Sequence, residues 1–421
     1  MNECSVSVNG ISIYSFTNPN LRSFCLSLYV RAGSIFEDLS NNGISHLFEH
    51  VVFRNIKNKY ENFYELLAMH GLCFQGSTYK KFVSFTIDGP QHEFDFAIEI
   101  LCGLFDEIKL TSHDFNNEKG RIKAEIREKD RRSSLNFYFD SIVWKNSEVE
   151  KIVLGYCKTI DRVSVKRINE FRQKVLSAGN CFVYATGNIS DKNLDALNKK
   201  ISELDISQSN PGFTNTVTVN NEFFHRKKKI WIKNNYWHYI QIGFDVDCSK
   251  YPGGVYDLLY ALLFNGDKAL VYNYLSEDNP IIYSYDSTFE QYDNVGNINF
   301  SFEVDRNKIE DVFKTVVELL NAAKDGRFNF EANLNYEMFN WELDLDNPDN
   351  LNWNMAYYNH ILKTQSIDYS DEFYGRFRVT KEQIIDAAKY IFRRCNMTVA
   401  VKGDRKKINA EAIEKILESL D

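Results

Sequence analysis

An internal repeat limits the fold of this chain more than any other feature of its sequence. Residues 163–187 and 379–403 align without a gap, so that Asn180, for example, matches Asn396. In both segments the hydrophobic pattern predicts a helix, which is followed by a short strand and a glycine turn. The chain therefore contains one helix–strand arrangement twice.

A second pair of segments repeats with almost the same spacing along the chain. Alternating apolar residues predict strands at 83–87 and 298–304, and each strand runs into an amphipathic helix, at 94–105 and 309–320. Two independent repeats with nearly equal spacing indicate a duplicated unit. Because strand pairs recur without regular β–α alternation, the predicted fold class is α+β, with two homologous domains that each hold an antiparallel sheet packed with helices.

The boundary between the two copies is predicted in a polar, turn-rich stretch. With 421 residues, of which 44% are hydrophobic, the chain is long enough for two domains with separate cores. Residues 207–215 are rich in Ser, Asn, Pro and Gly, which favours a linker. We expect a first domain at 1–205, a linker at 206–224 and a second domain at 225–421.

The first copy contains a five-residue motif, H-x-x-E-H, formed by His46, Glu49 and His50. The motif lies in the apolar run 44–53, which predicts a buried helix. Residues four apart share one face of a helix, so both imidazoles can hold one zinc ion. Glu49 then stands beside the metal without having to bind it, which suits a general base for a zinc-activated water. Two helix histidines that only hydrogen-bond to their neighbours are the alternative.

A second helix with two carboxylates is predicted downstream. Glu118, Ile122 and Glu125 fall at i, i+4 and i+7 of the charged segment 117–128, so one stripe carries both carboxylates and an apolar residue. Taken alone, such a pattern is typical of a solvated surface helix. A catalytic zinc site needs a third protein ligand and an open position for water, and this stripe offers the ligand.

An H-x-x-E-H motif followed by a distant E-x6-E pair resembles the inverted-zincin metallopeptidases of the pitrilysin, insulin-degrading enzyme and mitochondrial processing peptidase family. Here the distant pair is Glu118 and Glu125. The resemblance implies that His46, His50 and Glu125 bind one Zn²⁺ per chain. It also implies that Glu49 is the general base and that Glu118 is an auxiliary catalytic carboxylate, which supports the metal ligands.

The resemblance extends to the segment 71–78, which is similar to the family's edge strand beside the zinc. Its Phe74, Gln75, Gly76 and Ser77 are the expected substrate-binding residues. The family usually has Asn-Ala where this chain has Gln75-Gly76, and the exchange keeps an amide followed by a very small residue. An extended peptide can add to such an edge through main-chain hydrogen bonds.

The resemblance implies a zinc-dependent endopeptidase, or the zinc-bearing subunit of a heterodimeric peptidase, that hydrolyses peptide bonds in short peptides. A ribosomally made precursor peptide is a further expectation, by analogy with some bacterial relatives. Two alternatives stay open. One is a non-catalytic scaffold or peptide-binding subunit of the same fold, and the other is a metal-dependent hydrolase of non-peptide substrates.

The second copy carries no metal motif, because the segment 255–264, which matches the motif helix, contains neither His nor Glu. In the family the second half usually supplies an Arg and, seven residues later, a Tyr that reach the substrate. Tyr283 stands at the Tyr position and is the third expected catalytic residue, whereas Ser276 stands at the Arg position. A related subunit that lacks H-x-x-E-H but has the Arg–Tyr pair would complement this chain in a heterodimer. A homodimer is the alternative.

The composition argues against several other classes of protein. A net charge of −8 gives no broad basic surface, so we expect no nucleic-acid partner. No stretch of 18 or more apolar residues predicts a membrane span, and the first residues do not resemble a secretory signal. The eight cysteines form no C-x-x-C pair, which indicates reduced cysteines in a cytoplasmic protein.

Overall fold

The computed structural model describes residues 3–129, 134–208, 212, 217, 223–224, 229–362 and 378–420. The chain forms two compact units. The first unit contains Met1–Asp130, Glu148–Asn215 and Leu343–Ser370, and the second contains Arg131–Ser147, Thr216–Glu342 and Asp371–Asp421. Most of the predicted linker at 206–224 lies outside the described residues, so the predicted domain boundaries stay a prediction.

The described residues form eleven β-strands. They are β1 Cys4–Val8, β2 Ile11–Thr17, β3 Ser23–Val30, β4 Cys73–Thr78, β5 Val83–Pro90, β6 Cys181–Gly187, β7 Ile230–Asn234, β8 Tyr239–Asp247, β9 Asp286–Tyr292, β10 Val295–Glu303 and β11 Met397–Gly403.

The helices vary widely in length. They are α1 Ile44–Lys57, α2 Phe63–Met69, α3 Phe94–Gly103, α4 Ser112–Glu128, α5 Leu135–Val143, α6 Cys157–Arg162, α7 Val165–Val175, α8 Asp191–Ser202, α9 Gly253–Phe264, α10 Leu270–Tyr272, α11 Ile309–Lys324, α12 Phe330–Asp344, α13 Pro348–Met355, α14 Lys381–Ile391 and α15 Ala410–Leu417. Two π-helical segments follow α10 and α13, at Asn273–Glu277 and Ala356–Leu362. Within the described parts of the chain, no helix is both long and apolar enough to cross a membrane.

The first unit is built on a six-stranded sheet in the order β1-β2-β6-β3-β5-β4, which leaves β4 at one edge. Neighbouring strands run antiparallel, except that β2 and β6 are parallel. One face of β5 carries Val83, Phe85 and Ile87, all fully buried, because alternate residues of a strand point to the same side. Helices α1 and α3 cover this apolar face and form the main core of the unit.

The second unit repeats this arrangement in a five-stranded sheet, β7-β11-β8-β10-β9. Strands β7 and β11 are parallel, and the remaining neighbours are antiparallel. The predicted α+β class with a duplicated unit is confirmed, but each sheet is mixed rather than purely antiparallel. The parallel pair arises because β6 and β11 return to their sheets through long helical connections, which do not impose the reversal of a hairpin.

The two copies also share details of hydrogen bonding. The side-chain Nδ2 of Asn180 donates to the carbonyl of Val175 at 2.8 Å, and Nδ2 of Asn396 donates to the carbonyl of Ile391 at 2.9 Å. Each bond ties the end of a helix to the strand that follows it. The repeat detected in the sequence therefore reflects a structural equivalence of α7–β6 and α14–β11.

Each unit includes one helix from the opposite half of the sequence. In the first unit α13 lies on β3 and β6, where Nδ2 of Asn352 donates to the carbonyl of Tyr184 at 3.0 Å and the Tyr29 hydroxyl donates to Oδ1 of Asn352 at 2.9 Å. In the second unit α5 lies on β8 and β11, and a Cβ atom at Gly243 would stand 2.5 Å from Cζ of Phe139. Both sheets are therefore covered by a segment that is distant in sequence.

Candidate metal centre and active site

Helix α1 carries the H-x-x-E-H motif in a fixed rotation. Its Leu47, Phe48 and Val51 are fully buried and pack into the core of the first unit. A helix with one buried stripe can turn only a little about its own axis. The core packing therefore determines where the side chains of His46, Glu49 and His50 point.

The N-terminus of α1 is held by Glu37, which sequence reasoning did not single out. The N-cap residue, Gly43, has a φ of 96° and supplies no side-chain cap. Instead, Oε2 of Glu37 accepts a hydrogen bond from the Gly43 N–H at 2.7 Å, and Oε1 accepts one from the Ser45 N–H at 2.8 Å. A carboxylate satisfies these N–H donors, which have no partner within the helix, and complements the helix dipole. The sequence signal for such a distant cap was a predicted helix that begins directly after a glycine, because glycine has no side chain with which to cap the helix.

The three predicted metal ligands converge. His46, His50 and Glu125 each offer one ligand atom, and these atoms all lie within 4.8 Å of one another. Nε2 of His46 is 3.5 Å from Oε2 of Glu125, which is supplied by α4 alongside α1. In the part of the chain that the structure describes, no other group of three His, Cys, Asp or Glu side chains converges in this way.

Glu118 contacts His50 and lies on the same stripe of α4 as Glu125, about two turns earlier. Its side chain is only 3% exposed, and its Oε1 accepts a hydrogen bond from Nε of Arg54 at 2.7 Å. Oε2 lies 3.5 Å from Nδ1 of His50. Burial alone would raise the pKa of Glu118, but hydrogen bonds from His50 and Arg54 and the charge of Arg121 outweigh it, and the pKa is lowered. A charged Glu118 can thus orient His50 through Nδ1 and leave Nε2 available to a metal.

Glu49 is held against strand β4. The hydroxyl of Thr78 donates a hydrogen bond to Oε2 of Glu49 at 2.6 Å. A Cβ atom at Gly76 would lie 2.9 Å from both Cγ and Oε1 of Glu49, so the carboxylate occupies space that a side chain at residue 76 would have to share. Burial raises the pKa of Glu49, which makes its carboxylate a better proton acceptor. Thr78 was missed in the sequence, although strand alternation places it on the same face as Gly76.

His46 is the more buried of the two histidines. Burial, together with the proximity of His50, lowers the pKa of His46 to about 4. Its imidazole is therefore neutral near pH 7, as a metal ligand must be. Its Nδ1 is buried and meets no hydrogen-bond partner among the described residues, whereas Nε2 faces Glu125.

The four predicted substrate-binding residues lie in the edge strand β4, on alternating faces. Phe74 stacks on Phe53 of α1, with ring centroids 4.6 Å apart, and Gly76 faces Glu49. Gln75 and Ser77 point to the other side of the sheet. A groove of about 360 Å³ beside α1 is bordered by Glu49, His50 and β4.

Tyr283 belongs to the second unit, whereas the cluster of metal ligands lies in the first. It is 97% exposed and borders an open groove of about 950 Å³ together with Tyr236 and Trp237. Ser276, at the predicted Arg position, lies in the π-helical segment Asn273–Glu277. The catalytic role assigned to Tyr283 stays a prediction.

Two family models match the sequence. The model described as Insulinase (Peptidase family M16) matches residues 13–155, and the model described as Peptidase M16 inactive domain matches residues 162–332. Together they span well over half of the chain.

The chain belongs to peptidase family M16. Among its curated relatives, an uncharacterized zinc protease of Bacillus subtilis is 20% identical over 324 residues, which are 75% of this M16 chain and 77% of that protein. Subunit beta of the mitochondrial-processing peptidase of Saccharomyces cerevisiae is 23% identical over 190 residues, which are 44% of this chain and 41% of that protein. The chain thus matches less than half of the yeast subunit.

The fold of this M16 chain is similar to that of solved structures. A protease from Helicobacter pylori superposes with a TM-score of 0.81 at 18% identity, over 95% of this chain and 99% of that one. At this level of identity the similarity concerns the fold alone. The expected fold and family are confirmed.

The cluster of the M16 chain fits the zinc ion that relatives' names imply. Two imidazole nitrogens and one carboxylate oxygen form the donor set that is typical of a catalytic zinc site. The neutral state of His46 and the contact between His50 and Glu118 match the needs of such ligands. His46, His50 and Glu125 would hold the ion, and Glu49 would stand beside it.

Proposed function

We propose that this chain is a zinc-dependent endopeptidase, or the zinc-bearing subunit of one, that hydrolyses short extended peptides. One observation carries the proposal. His46, His50 and Glu125 converge within 4.8 Å, and a fourth side chain, Glu49, is held next to them against β4, the outer strand of the sheet that the described residues form. An acid–base group, a metal-ligand set and a docking edge for a peptide backbone thus occur in one place.

Each residue has a role that its surroundings support. Zinc, when bound, would supply Lewis-acid chemistry, which acidifies a water molecule and polarises a carbonyl group. Glu49 accepts the proton of the attacking water on its carboxylate and then donates it to the leaving amine. The Thr78 hydroxyl holds Oε2 of Glu49, so that Oε1 is the oxygen that exchanges the proton. Glu118 keeps His50 oriented, and Arg54 keeps Glu118 charged.

Strand β4 positions the substrate. It is the outer strand of its sheet in the described residues, so its outward N–H and C=O groups can pair with an added peptide strand. Gly76 has no side chain, so the Glu49 carboxylate can lie against β4, next to the expected path of the peptide. Main-chain pairing is insensitive to sequence, so specificity has to come from the grooves on both faces of β4.

A scaffold or peptide-binding subunit is the second candidate. The name of the matching second-half family, Peptidase M16 inactive domain, fits a chain whose second half lacks the motif. Loss of a metal ligand or of Glu49 would favour the scaffold, and this chain retains all four residues. The catalytic reading is therefore favoured.

The partner, the compartment and the natural substrate follow as further proposals. Because Ser276 stands where the family usually has Arg, a related subunit that carries the Arg–Tyr pair would complete the site in a heterodimer. A homodimer in which Tyr283 serves alone is the alternative. The proposed compartment is the cytoplasm, where cysteines stay reduced. The free, buried cysteines Cys25, Cys181 and Cys248 are consistent with this proposal. A ribosomally made precursor peptide remains a candidate substrate.

The activity is tested by incubating the zinc-loaded protein with a peptide library and identifying products by mass spectrometry. We expect cleavage by the wild type and a rate lower by at least about 100-fold for Glu49→Gln, which keeps its size and loses the base. Glu118→Gln should lose about 10- to 100-fold, because it acts through His50. Absence of cleavage by a protein that holds a full equivalent of zinc would support the scaffold. Addition of candidate related subunits then tests the heterodimer.

A further inference from the structure

Two grooves border strand β4, one on each face of its sheet. The α1-side groove contains Glu49 and His50, together with the cationic side chains of Arg54, Lys57 and Arg121. The α13-side groove lies on the opposite face and has a volume of about 380 Å³, within the range of ligand pockets of about 300–1,000 Å³. All residues bordering both grooves belong to the first unit.

The α13-side groove is polar and acidic. Ser77 of β4 and Ser84 and Thr86 of β5 form its floor, and the carboxylates of Asp344 and Asp349 form its rim. None of its described lining residues is Lys, Arg or His. The field of Asp349 extends to neighbouring groups, since burial and the charge of Asp349 raise the pKa of Asp88. The groove thus presents negative charge with no cation of its own in the described chain.

Aromatic rings form one wall of the same groove. The Tyr79 and Trp353 rings have centroids 5.1 Å apart, and Trp353 stacks on Tyr357 at 5.5 Å with an angle of 8° between the planes. This packing holds the Trp353 ring rigid. Tyr79 is 38% exposed, so its ring is accessible from the groove. Aromatic faces next to carboxylates attract a cation on an aliphatic stem, because the stem packs on the rings and the head meets the charge.

We propose that the α13-side groove is a specificity subsite that binds a Lys or Arg side chain of a peptide strand added to β4. The inference rests on the proposed peptidase function and names the substrate class: peptides with a basic residue near the scissile bond. Asp349 is the main specificity-determining residue, and Tyr79 and Trp353 bind the aliphatic stem.

The geometry of strand addition makes the preference periodic. Side chains of an added strand alternate between the two faces in step with those of β4. The peptide residue that faces Glu49 lies on the Gly76 side, so its immediate neighbours lie on the Gln75 and Ser77 side, which is the floor of the α13-side groove. A basic residue is therefore favoured at the two positions that flank the residue facing Glu49, and it loses its effect when it is moved by one position.

The test uses a set of peptides of one parent sequence, in which a single Lys, Ala or Glu is placed at each position in turn. Cleavage of each peptide by the zinc-loaded wild type gives kcat/KM, and fluorescence anisotropy of labelled peptides on zinc-loaded Glu49→Gln gives Kd without turnover. We expect Lys to be favoured over Glu by about tenfold at alternate positions, in both readouts. Asp349→Asn should reduce this ratio to about twofold, and Asp349→Lys should reverse it. Asp346→Asn, an exposed charge nearby that does not border the groove, should leave it unchanged.

The outcomes separate the subsite from the proposed activity. If wild type cleaves no peptide but binding to Glu49→Gln alternates and reverses with Asp349→Lys, the subsite stands and the peptidase proposal fails. If peptides are cleaved with no alternation, or if the alternation survives Asp349→Lys in a protein with an unchanged melting temperature, the subsite is wrong while the peptidase proposal stands.

Discussion

His46 and His50 belong to one motif but have different surroundings, and those surroundings assign different tasks to them. His46 is buried, and burial together with the nearby His50 lowers its pKa to about 4, so it presents a neutral nitrogen near pH 7. His50 is more exposed and is oriented by the buried carboxylate of Glu118. Glu49, on the same helix, lies close to β4 at Gly76, which has no side chain. Contacts of individual atoms therefore decide whether the motif can act.

Removal of His46 should abolish stable zinc binding. His46→Ala takes away one of three ligands, and affinity should fall by several orders of magnitude because the remaining pair cannot complete the site. Elemental analysis after dialysis is expected to give about one zinc per wild-type chain and almost none for the variant. His92→Ala, at a histidine whose side chain is 76% exposed, is the matched control and should keep its zinc. A full equivalent of zinc in His46→Ala would contradict the ligand assignment.

Gly76→Val should impair catalysis without removing the metal. A Cβ at residue 76 would stand 2.9 Å from Cγ and Oε1 of Glu49, and the two methyl groups of valine block the small adjustment that alanine, the usual family residue, leaves possible. A misplaced base typically costs about 100-fold in rate, and we expect kcat to fall by about 10- to 100-fold with normal zinc content.

Gly120→Ala, on α4 between Glu118 and Glu125, serves as the control because nothing lies within 4 Å of its Cβ position. It should raise the free energy of unfolding by about 0.5–1 kcal/mol and leave kcat unchanged. Equal activity of Gly76→Val and Gly120→Ala would show that Glu49 tolerates a branched side chain at residue 76.

Helix α1 and strand β4 act as two rigid elements whose separation determines the site. Helix α1 is fixed along its length by its buried stripe and at its N-terminus by Glu37. Lys151 donates to the carbonyls of Ile35 and Glu37, which ties down the segment that carries this carboxylate. His46 is the third residue of α1, so any shift of the N-terminus of α1 would move the His46 side chain as well.

Glu37→Gln should destabilise the first unit. A glutamine offers one acceptor where Glu37 offers two, and its amide would face an N–H donor of the α1 terminus. An unsatisfied buried donor costs about 1–3 kcal/mol, which urea unfolding can measure. We expect this loss together with weaker zinc retention. Glu61→Gln, on the exposed surface, is the control and should match the wild type.

The stability difference between wild type and Glu37→Gln should also depend on pH. Burial raises the folded-state pKa of Glu37 above its usual value of 4.5, although hydrogen bonds from Gly43 and Ser45 oppose the rise. A raised folded pKa gives a contribution that is fully present below the unfolded pKa and is lost as the pH rises through the folded pKa. The advantage of the wild type should therefore be largest below about pH 4.5 and smaller at pH 7, with unfolding measured at each pH. An advantage that grows with pH would refute the raised pKa.

Across the whole molecule, the two halves of the sequence do not each form a self-contained unit. The first unit takes α13 from the second half, and the second unit takes α5 from the first half. Tyr29, Tyr184 and Thr186 of the first sheet make hydrogen bonds to residues of α13. The first half alone would lose these buried hydrogen bonds.

Residues 1–215, expressed alone, should therefore fold poorly. Without α13 the hydroxyl of Tyr29 and the carbonyl of Tyr184 lose their buried partner, and we expect a low melting temperature and non-cooperative urea unfolding. The control joins residues 343–370 to the same fragment through a flexible Gly/Ser linker, which should restore cooperative unfolding. Equal stability of both forms would mean that α13 is dispensable to the first unit.

The sequence by itself determined the features that depend on local order along the chain. Periodicity and the constant spacing of the repeated segments predicted the duplication, because equivalent helices and strands keep their positions within each copy. The i, i+4 spacing of His46 and His50 predicted one ligand face, because a helix of known pitch needs no tertiary information to bring them together. The parallel pairs β2–β6 and β7–β11, the exchange of α5 and α13, and the capping of α1 by Glu37 were decided only by the tertiary structure. These three features depend on contacts between segments that are distant in sequence or on a single carboxylate in a loop. Neither kind of contact leaves a periodic pattern in the sequence.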